Sequence, residues 1–505
     1  MACTSASDSN CAAISASQYG GSGIGVWSAS ASSSAATLSV SLSGVSGKTV
    51  TLIWTNTSSS AQSGITSTAS VIDGDSSAAE RLRVIQTAGR AAIRETLANP
   101  PAASLSGLVS ASVSTPSASY TVGSSTRSWY EAVNATTLAT TLRQQASLSN
   151  GQSLNIWVAD SEWTTSGTSY KVTQTQVDNL ASKFATSSTG IFDLATSIAG
   201  APWGSTQYSN LISTSQDINI VVTNFESDST AGGLLGYFYG LNNFLKTTGS
   251  SYTNSNEALV FFIDSETLAS SSQRYQDLMV STLAHEFTHM INFYQREVLN
   301  GVAFDTWLEE VSAMMMEDIL NPQIVSTYND IRDSRLPGWF ASGINNCSLT
   351  TYNDSTTDSC FSYSIGGAYG AYLLRQYGID FYKTLLQSTS SNSITALDAA
   401  IKASDSSASF ATSVKRWGAA IALLDSSVLP SGYGYPAKTV TVGSSSWTLP
   451  AFSGSSFSSY RKISSSLPSS LKAYAHAAQT FSASGSSFSR TVSIPANTTL
   501  TVVVN

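Results

Sequence analysis

The sequence predicts an α+β protein of several domains, with a small sheet and helices at its centre and β-rich regions at both ends. The chain has 505 residues, which is more than one hydrophobic core usually serves. Alternating β-formers between Ser and Gly turns dominate both ends, whereas the middle carries helical periods. We therefore expect a β-rich domain with one helix over residues 1–145, a central domain over 146–430 and a small β domain over 431–505.

The N-terminal region carries strand patterns on both sides of one helical pattern. β-Branched and apolar residues predict strands at Ala36–Leu42 and Thr49–Trp54. Arginines and aliphatic side chains then follow a helical period over Ser76–Asn99, and this pattern stops before Pro100. Short strands are predicted again over Leu105–Val122, so the region is mainly β.

The central region alternates between short apolar runs and longer helical patterns. The predicted strands are Leu154–Val158, Ile218–Phe225 and Ala258–Ile263. The predicted helices are Val172–Ala199 with a break at Gly190, Tyr275–Tyr294, Thr306–Leu320, Gly366–Tyr377 and Phe410–Leu424. Strands return at Thr439–Val442, Ser489–Ile494 and Thr499–Val504.

The composition excludes several classes of function. The net charge is −8, and Lys and Arg are scattered singly, so the chain lacks the basic patch of a nucleic-acid-binding protein. No apolar run reaches the roughly 18 residues that span a bilayer. Charged residues make up only 11% of the chain, and hydroxyl and amide side chains take their place, which suits a protein outside the cell. The start of the sequence shows no signal peptide, so an exported protein would already have lost its leader.

The four cysteines form two local pairs in the sequence, Cys3 with Cys11 and Cys347 with Cys360. An even count with short gaps predicts two small disulfide loops and therefore an oxidising compartment, so we expect a secreted protein. In an alternative reading, Cys3 is a lipidated N-terminus that anchors the protein to a surface and leaves Cys11 without this partner.

The chemistry is concentrated in His285-Glu286-Phe287-Thr288-His289. Residues i and i+4 of a helix share a face, so both imidazoles can reach one metal ion. Glu286 then points beside the metal, where it can act as a general base on water. The alternative is two histidines that align without binding a metal, but the whole chain contains only three histidines.

A catalytic zinc ion usually has three protein ligands, so a third must come from elsewhere. Glu309 and Glu310 follow on the next predicted helix, and adjacent residues face about 100° apart, so only one of them can point at the metal. Asp305 and Glu317 are further candidates. The alternative is that these carboxylates are solvated on a helix surface.

These residues resemble the hyicolysin family of neutral zinc metallopeptidases, within the gluzincin group. The resemblance rests on the HExxH segment, on Trp307-Leu308-Glu309-Glu310 and on the run that ends at Asp318, and it covers roughly residues 215–380. It implies a gluzincin-type catalytic domain with one Zn²⁺ ion held by His285, His289 and Glu310. The chain departs from the family pattern at Glu309, where Asn or Asp is commoner, and at Val311, where Gly is usual.

The resemblance also implies an oxyanion donor. Tyr363-Ser-Ile-Gly366 is similar to the Y-x-x-G segment of aminopeptidase-like enzymes, and a phenol can donate at neutral pH. The Cys347–Cys360 loop would precede this segment and help to fix it. The alternative is that Tyr363 only packs, and His476 is expected to be structural.

The leading hypothesis is therefore a secreted zinc endopeptidase that acts on proteins or peptides as a monomer, with Glu286 and Tyr363 in catalysis. Its substrate would add as a strand to a sheet edge at Glu257–Ile263. Two alternatives stay open: an adhesin or binding protein that keeps a zinc site, and a zinc hydrolase of non-peptide amides or esters. A calcium ion near Asp228 or Asp354 has no D-x-D-x-D-G loop to support it.

Overall fold

The computed structural model describes residues 2–3, 9–67, 119–165, 170–246, 252–325, 327–355, 358–425 and 428–505. The helix predicted over 76–99 and most of the segment predicted as strands over 105–122 lie outside these ranges. Across the described residues, no helix is long and apolar enough to cross a membrane.

The strands fall into a six-stranded central sheet, two five-stranded sheets and two short pairs. In chain order they are β1 (Ala2–Cys3), β2 (Ala13–Ser15), β3 (Gln18–Tyr19), β4 (Gly25–Ala31), β5 (Ala36–Ser43), β6 (Lys48–Asn56), β7 (Gln62–Ser63), β8 (Thr66–Ser67), β9 (Thr126–Glu131), β10 (Thr136–Ser147), β11 (Ser153–Ala159), β12 (Ile218–Thr223), β13 (Gly236–Phe238), β14 (Leu259–Asp264), β15 (Lys438–Val442), β16 (Ser445–Leu449), β17 (Ser470–Leu471), β18 (His476–Ala483), β19 (Ser487–Ile494) and β20 (Thr498–Val504).

The helices lie between β11 and β15. They are α1 (Gln174–Ala185), α2 (Ile191–Ala199), α3 (Ser265–Leu268), α4 (Gln273–Asn292), α5 (Thr306–Ile324), α6 (Ser362–Leu386), α7 (Ser393–Ser404) and α8 (Phe410–Gly418). Short 3₁₀ segments occur at Asp160–Glu162, Gly240–Asn243, Ala419–Ile421 and Gly454–Phe457, and further helical turns run through Phe293–Val298 and from Ile331 to Gly343.

The central sheet has the order β13-β14-β12-β11-β10-β9, with β11, β12 and β14 parallel to one another. Its middle strands are buried on both faces because alternate side chains enter two different cores. Ile220 and Phe261 pack against the helices, whereas Val221 and Phe262 join Trp129 on the other side. The sheet is therefore a rigid support for the helices that carry the chemistry.

Strand β13 forms one edge of this sheet, and β9 forms the other. Among the described strands, β14 pairs with β12 on one side and with β13 on the other, so the predicted substrate-binding edge at Glu257–Ile263 is wrong. The sequence analysis missed β13 because its three residues are too few to show an alternating pattern. An extended chain could add to the sheet only beyond β13 on this side.

All five helices predicted in the central region differ from the observed helices at one end or both; the helix predicted over Phe410–Leu424, for example, ends at Gly418. The segment predicted over Val172–Ala199 forms two helices that are separated before Ile191, in agreement with the predicted break at Gly190. A Cβ at Gly190 would lie 2.7 Å from two backbone carbonyl oxygens, so the turn between the helices requires a glycine. Helix α5 continues to Ile324. Helix α6 begins at Ser362, and Tyr363 therefore lies in its first turn rather than before it.

Strands from both ends of the chain build one β-sandwich. Strand β20 lies between β4 and β6, β18 pairs with β6, and β19 pairs with β5. Side chains from both five-stranded sheets share a single core that contains Trp27, Trp54, Phe481 and Phe488. The two ends of the chain therefore cannot form their sheets independently.

This pairing differs from the predicted division at residues 145 and 431. Strands β9 and β10 belong to the central sheet, and the hairpin β15–β16 packs on the helices, where the Trp447 indole donates to the Ile319 carbonyl at 2.8 Å. The remaining C-terminal strands complete the sandwich begun by residues 2–67. The difference arises because a strand pattern does not specify its partner.

Candidate metal centre

Helix α4 carries His285, Glu286 and His289 on its buried length. Leu283, Phe287 and other apolar side chains of this helix are fully buried in the main core, which explains why the segment folds as a helix here. The two imidazole rings lie 4.7 Å apart between centroids, as expected for positions i and i+4. The HExxH segment therefore presents two imidazoles and one carboxylate from a rigid helix.

Helix α5 packs against α4 and brings Glu310 between the two imidazoles. Glu310 Oε2 lies 3.1 Å from His285 Nε2 and 3.9 Å from His289 Nε2. One ligand atom from each of these three residues lies within 4.8 Å of the others. Two imidazole nitrogens and one carboxylate oxygen are a donor set that suits Zn²⁺, so the residues present fit the ion that the sequence implies.

The remaining nitrogen of each imidazole also has a carboxylate partner. His285 Nδ1 lies 2.6 Å from Glu317 Oε1, and His289 Nδ1 lies 2.9 Å from Glu309 Oε1. Carboxylates in these positions fix the orientation of metal-binding imidazoles and make the rings better donors. Glu309 and Glu317, considered as third ligands from the sequence, thus contact the histidines on the side away from Glu310.

A buried amide extends the contacts of Glu309. Asn292 Nδ2 donates to Glu309 Oε1 at 2.8 Å and to Ser312 Oγ at 3.0 Å. The Ser312 hydroxyl donates in turn to the Glu309 carbonyl, and the Tyr382 hydroxyl donates to the Ser312 carbonyl. This chain of bonds joins α4, α5 and α6 around His289.

The neighbouring carboxylates raise the pKa of both histidines. Burial alone lowers the pKa of His285, but hydrogen bonds to Glu310 and Glu317 outweigh burial and raise this pKa well above 6.5. Burial also lowers the pKa of His289. The hydrogen bond to Glu309 and the charge of Glu310 outweigh burial, so this pKa is raised. A cation with two positive charges would take the place of the imidazole protons among these acids.

Glu286 lies next to the sheet edge. A Cβ added at Gly236, the first residue of β13, would lie 2.9 Å from the Phe262 carbonyl oxygen and 3.2 Å from Glu286 Cγ. Only a glycine therefore fits between the edge strand and this carboxylate without displacement. The side chain of Glu286 therefore lies against the first residue of β13.

Tyr363 borders the same site from the first turn of α6. The centroid of its ring lies 6.4 Å from that of the His285 ring and 5.2 Å from the Arg335 guanidinium. Arg335 also pairs with Asp330 at 2.6 Å. The predicted disulfide between Cys347 and Cys360 is confirmed, and it closes a loop just before α6.

Other residues considered from the sequence lie outside this centre. His476 is buried in the interface between β18 and α8, where Thr55 Oγ1 lies 3.0 Å from Nδ1 and burial lowers its pKa to about 3. This buried position agrees with the expectation that His476 has a structural role. Asp305 immediately precedes α5. Among the described residues, neither Asp228 nor Asp354 belongs to the group of three His, Cys, Asp or Glu side chains that could hold a metal ion.

Comparison with known proteins separates two parts of the chain. Residues 134–505 match the family model of peptidase M30, and residues 1–66 match that of a domain of unknown function. No curated protein matches the sequence.

Among solved structures, the M1 zinc metallopeptidase of Deinococcus radiodurans is similar at 14% identity and a TM-score of 0.28, with 53% of this chain and 48% of that chain covered. A mutant of an M1 zinc metallopeptidase from the same organism, bound to a Tyr-Ser-Ala substrate, gives the same values. The chain thus spans about half the length of these proteins, and a likeness of this size carries no argument about function.

Proposed function

Because the chain belongs to the peptidase M30 family of zinc metallopeptidases, we propose that it is a secreted endopeptidase that hydrolyses internal peptide bonds of proteins. The observation that carries the proposal is the convergence of His285 Nε2, His289 Nε2 and Glu310 Oε2 beside Glu286. These three residues would hold the ion. Zinc, when bound there, supplies a Lewis acid that polarises a carbonyl and lowers the pKa of water.

Glu286 is proposed as the general base. It follows His285 on α4 and lies beside β13, so its carboxylate can reach a water that attacks a peptide carbonyl bound along that strand. Glu286 would accept a proton from this water and then pass it to the leaving amine. The phenol of Tyr363 would donate to the oxyanion that forms when the carbonyl becomes tetrahedral.

The edge of β13 is proposed as the site where the substrate backbone binds. Strand addition uses backbone N–H and C=O groups, which every peptide offers along its length. This way of binding therefore does not require a free terminus of the substrate. This supports an endopeptidase rather than an exopeptidase. The Cys347–Cys360 disulfide supports work in an oxidising compartment, and therefore secretion.

An internally quenched peptide with both ends blocked tests the proposed reaction. We expect hydrolysis at an internal bond, loss of activity with a zinc chelator and recovery when zinc is returned. Peptide amides with a free N-terminus and a small aromatic ester serve as comparison substrates. Turnover of the free-ended peptides alone would make the enzyme an exopeptidase. Turnover of the ester alone would make it a hydrolase of another class, and no turnover with zinc bound would favour a binding protein.

A further inference from the structure

A second phenol lies beside Tyr363. The hydroxyl of Tyr352 lies 3.4 Å from the hydroxyl of Tyr363, with Tyr352 as donor, and the two rings meet edge to face at 6.3 Å between centroids. Tyr352 is only half-buried, and it belongs to the loop closed by the disulfide rather than to a helix or strand. Its ring packs at the border of the main core, and its hydroxyl meets the hydroxyl of Tyr363.

The disulfide loop is fastened directly to the turn that carries Tyr363. Ser362 N donates to the Asn353 carbonyl at 2.8 Å, and Asn353 N donates to Ser362 Oγ at 2.7 Å. Both bonds join the residue that follows Tyr352 to the residue that precedes Tyr363. They hold Tyr352 and Tyr363 in register, in addition to the covalent link between Cys347 and Cys360.

The β-sandwich holds the start of the same loop. Asn346 N donates to the His476 carbonyl at 2.7 Å, and its side chain binds the backbone of Ser470 and Lys472 at 2.9 and 2.8 Å. The rigid C-terminal strands thus fix one end of the loop, and α6 fixes the other. A loop held at both ends loses little entropy when it orders a side chain.

We infer that Tyr352 is a positioning residue that orients the proton of Tyr363, an inference that rests on the proposed role of Tyr363. A hydroxyl has one proton and rotates to suit its partners. When Tyr352 donates to the Tyr363 oxygen, Tyr363 does not donate to Tyr352, and its O–H can turn toward the oxyanion that forms. Donation to the oxygen also polarises the O–H bond and strengthens it as a donor. A bond of 3.4 Å is long, but such bonds often tighten when substrate binds.

A double-mutant cycle tests this inference. Tyr363→Phe alone is expected to lower kcat by roughly 10²–10³. Tyr352→Phe is expected to lower kcat by about three- to tenfold with little change in KM, because it weakens one transition-state bond. In the Tyr363→Phe background, Tyr352→Phe should have no further effect, since its partner proton is already absent. Binding of a phosphinic peptide, which carries a tetrahedral anion, should weaken by the same factors.

Tyr19→Phe is the matched control. It removes a phenol hydroxyl that donates to the Gly23 carbonyl inside the sandwich, and kcat should stay at the wild-type value. Zinc content and Tm should be unchanged in Tyr352→Phe.

Full kcat in Tyr352→Phe, or effects that multiply in the double mutant, would overturn the inference while the proposed role of Tyr363 stands. Full kcat in Tyr363→Phe would remove that role and this inference together. Loss of zinc in Tyr352→Phe would show a structural role instead.

Discussion

Two adjacent glutamates contact different groups of the metal centre. Glu310 faces the Nε2 atoms of both histidines, whereas Glu309 contacts Nδ1 of His289 from outside. The two side chains point in different directions because adjacent positions on a helix face about 100° apart. Glu317, a further candidate ligand from the sequence, lies two turns after Glu310 on the same helix face and contacts Nδ1 of His285 instead.

The glutamates should therefore affect zinc differently. Glu310→Ala removes the carboxylate between the two imidazoles and should reduce zinc affinity far more than Glu309→Ala. Loss of the carboxylate behind His289 should reduce affinity by roughly 10–100-fold. Competition with a chromogenic chelator measures both, and Glu310→Gln is the control for side-chain volume. The reverse order of affinities would transfer the ligand role to Glu309.

The protonation of His285 predicts how zinc stabilisation depends on pH. Its raised pKa in the metal-free protein stabilises that form fully below the unfolded value of about 6.5, and this contribution is lost as the pH rises through the folded pKa. Zinc binding needs neutral imidazoles and so competes with the proton. The increase in Tm caused by zinc should therefore shrink as the pH falls through the raised pKa of His285 toward 6.5, as measured by calorimetry with and without a chelator. A zinc-induced increase that is constant over this range would contradict the argument.

At the scale of elements, the contact between β13 and α4 determines where Glu286 lies. Gly236→Ala would place a methyl group against the Phe262 carbonyl, Thr282 and Glu286. Either the edge strand or the carboxylate must then move, and a shift of about 1 Å can lower the rate by about 10²-fold. Gly485→Ala is the control, because a Cβ there meets no atom within 4 Å. Steady-state kinetics should show a loss of kcat for the first variant and none for the second. Equal activity would mean that the edge strand is not coupled to the base.

The elements also show which features the sequence could predict. Long helices with buried stripes, such as α4 and α5, were predicted to within a few residues at their start because their apolar period is strong. The edge strand β13 and the early start of α6 were not predicted. Both depend on tertiary contacts: β13 pairs with β14, and the first turn of α6 is fixed by the bonds between Ser362 and Asn353.

At the scale of the whole molecule, the two chain ends meet in one sandwich. The strand patterns at Thr49–Trp54 and Thr499–Val504 were both recognised, but their pairing was not, because alternation defines a face and not a partner. This pairing also fixes the loop that precedes α6. The C-terminal strands close the sandwich and also bind Asn346, at the start of the loop that carries Tyr352.

The central claim is that Glu286 is the base of a peptidase whose metal is held by His285, His289 and Glu310. The most direct test is the rate of peptide hydrolysis by Glu286→Gln, measured together with its zinc content. The substitution keeps the size of the side chain and removes its ability to accept a proton. We expect about one zinc ion per chain, an unchanged Tm and a fall in kcat of roughly 10²–10⁴-fold. A Glu286→Gln protein that holds zinc and hydrolyses the blocked peptide at the wild-type rate would contradict the account.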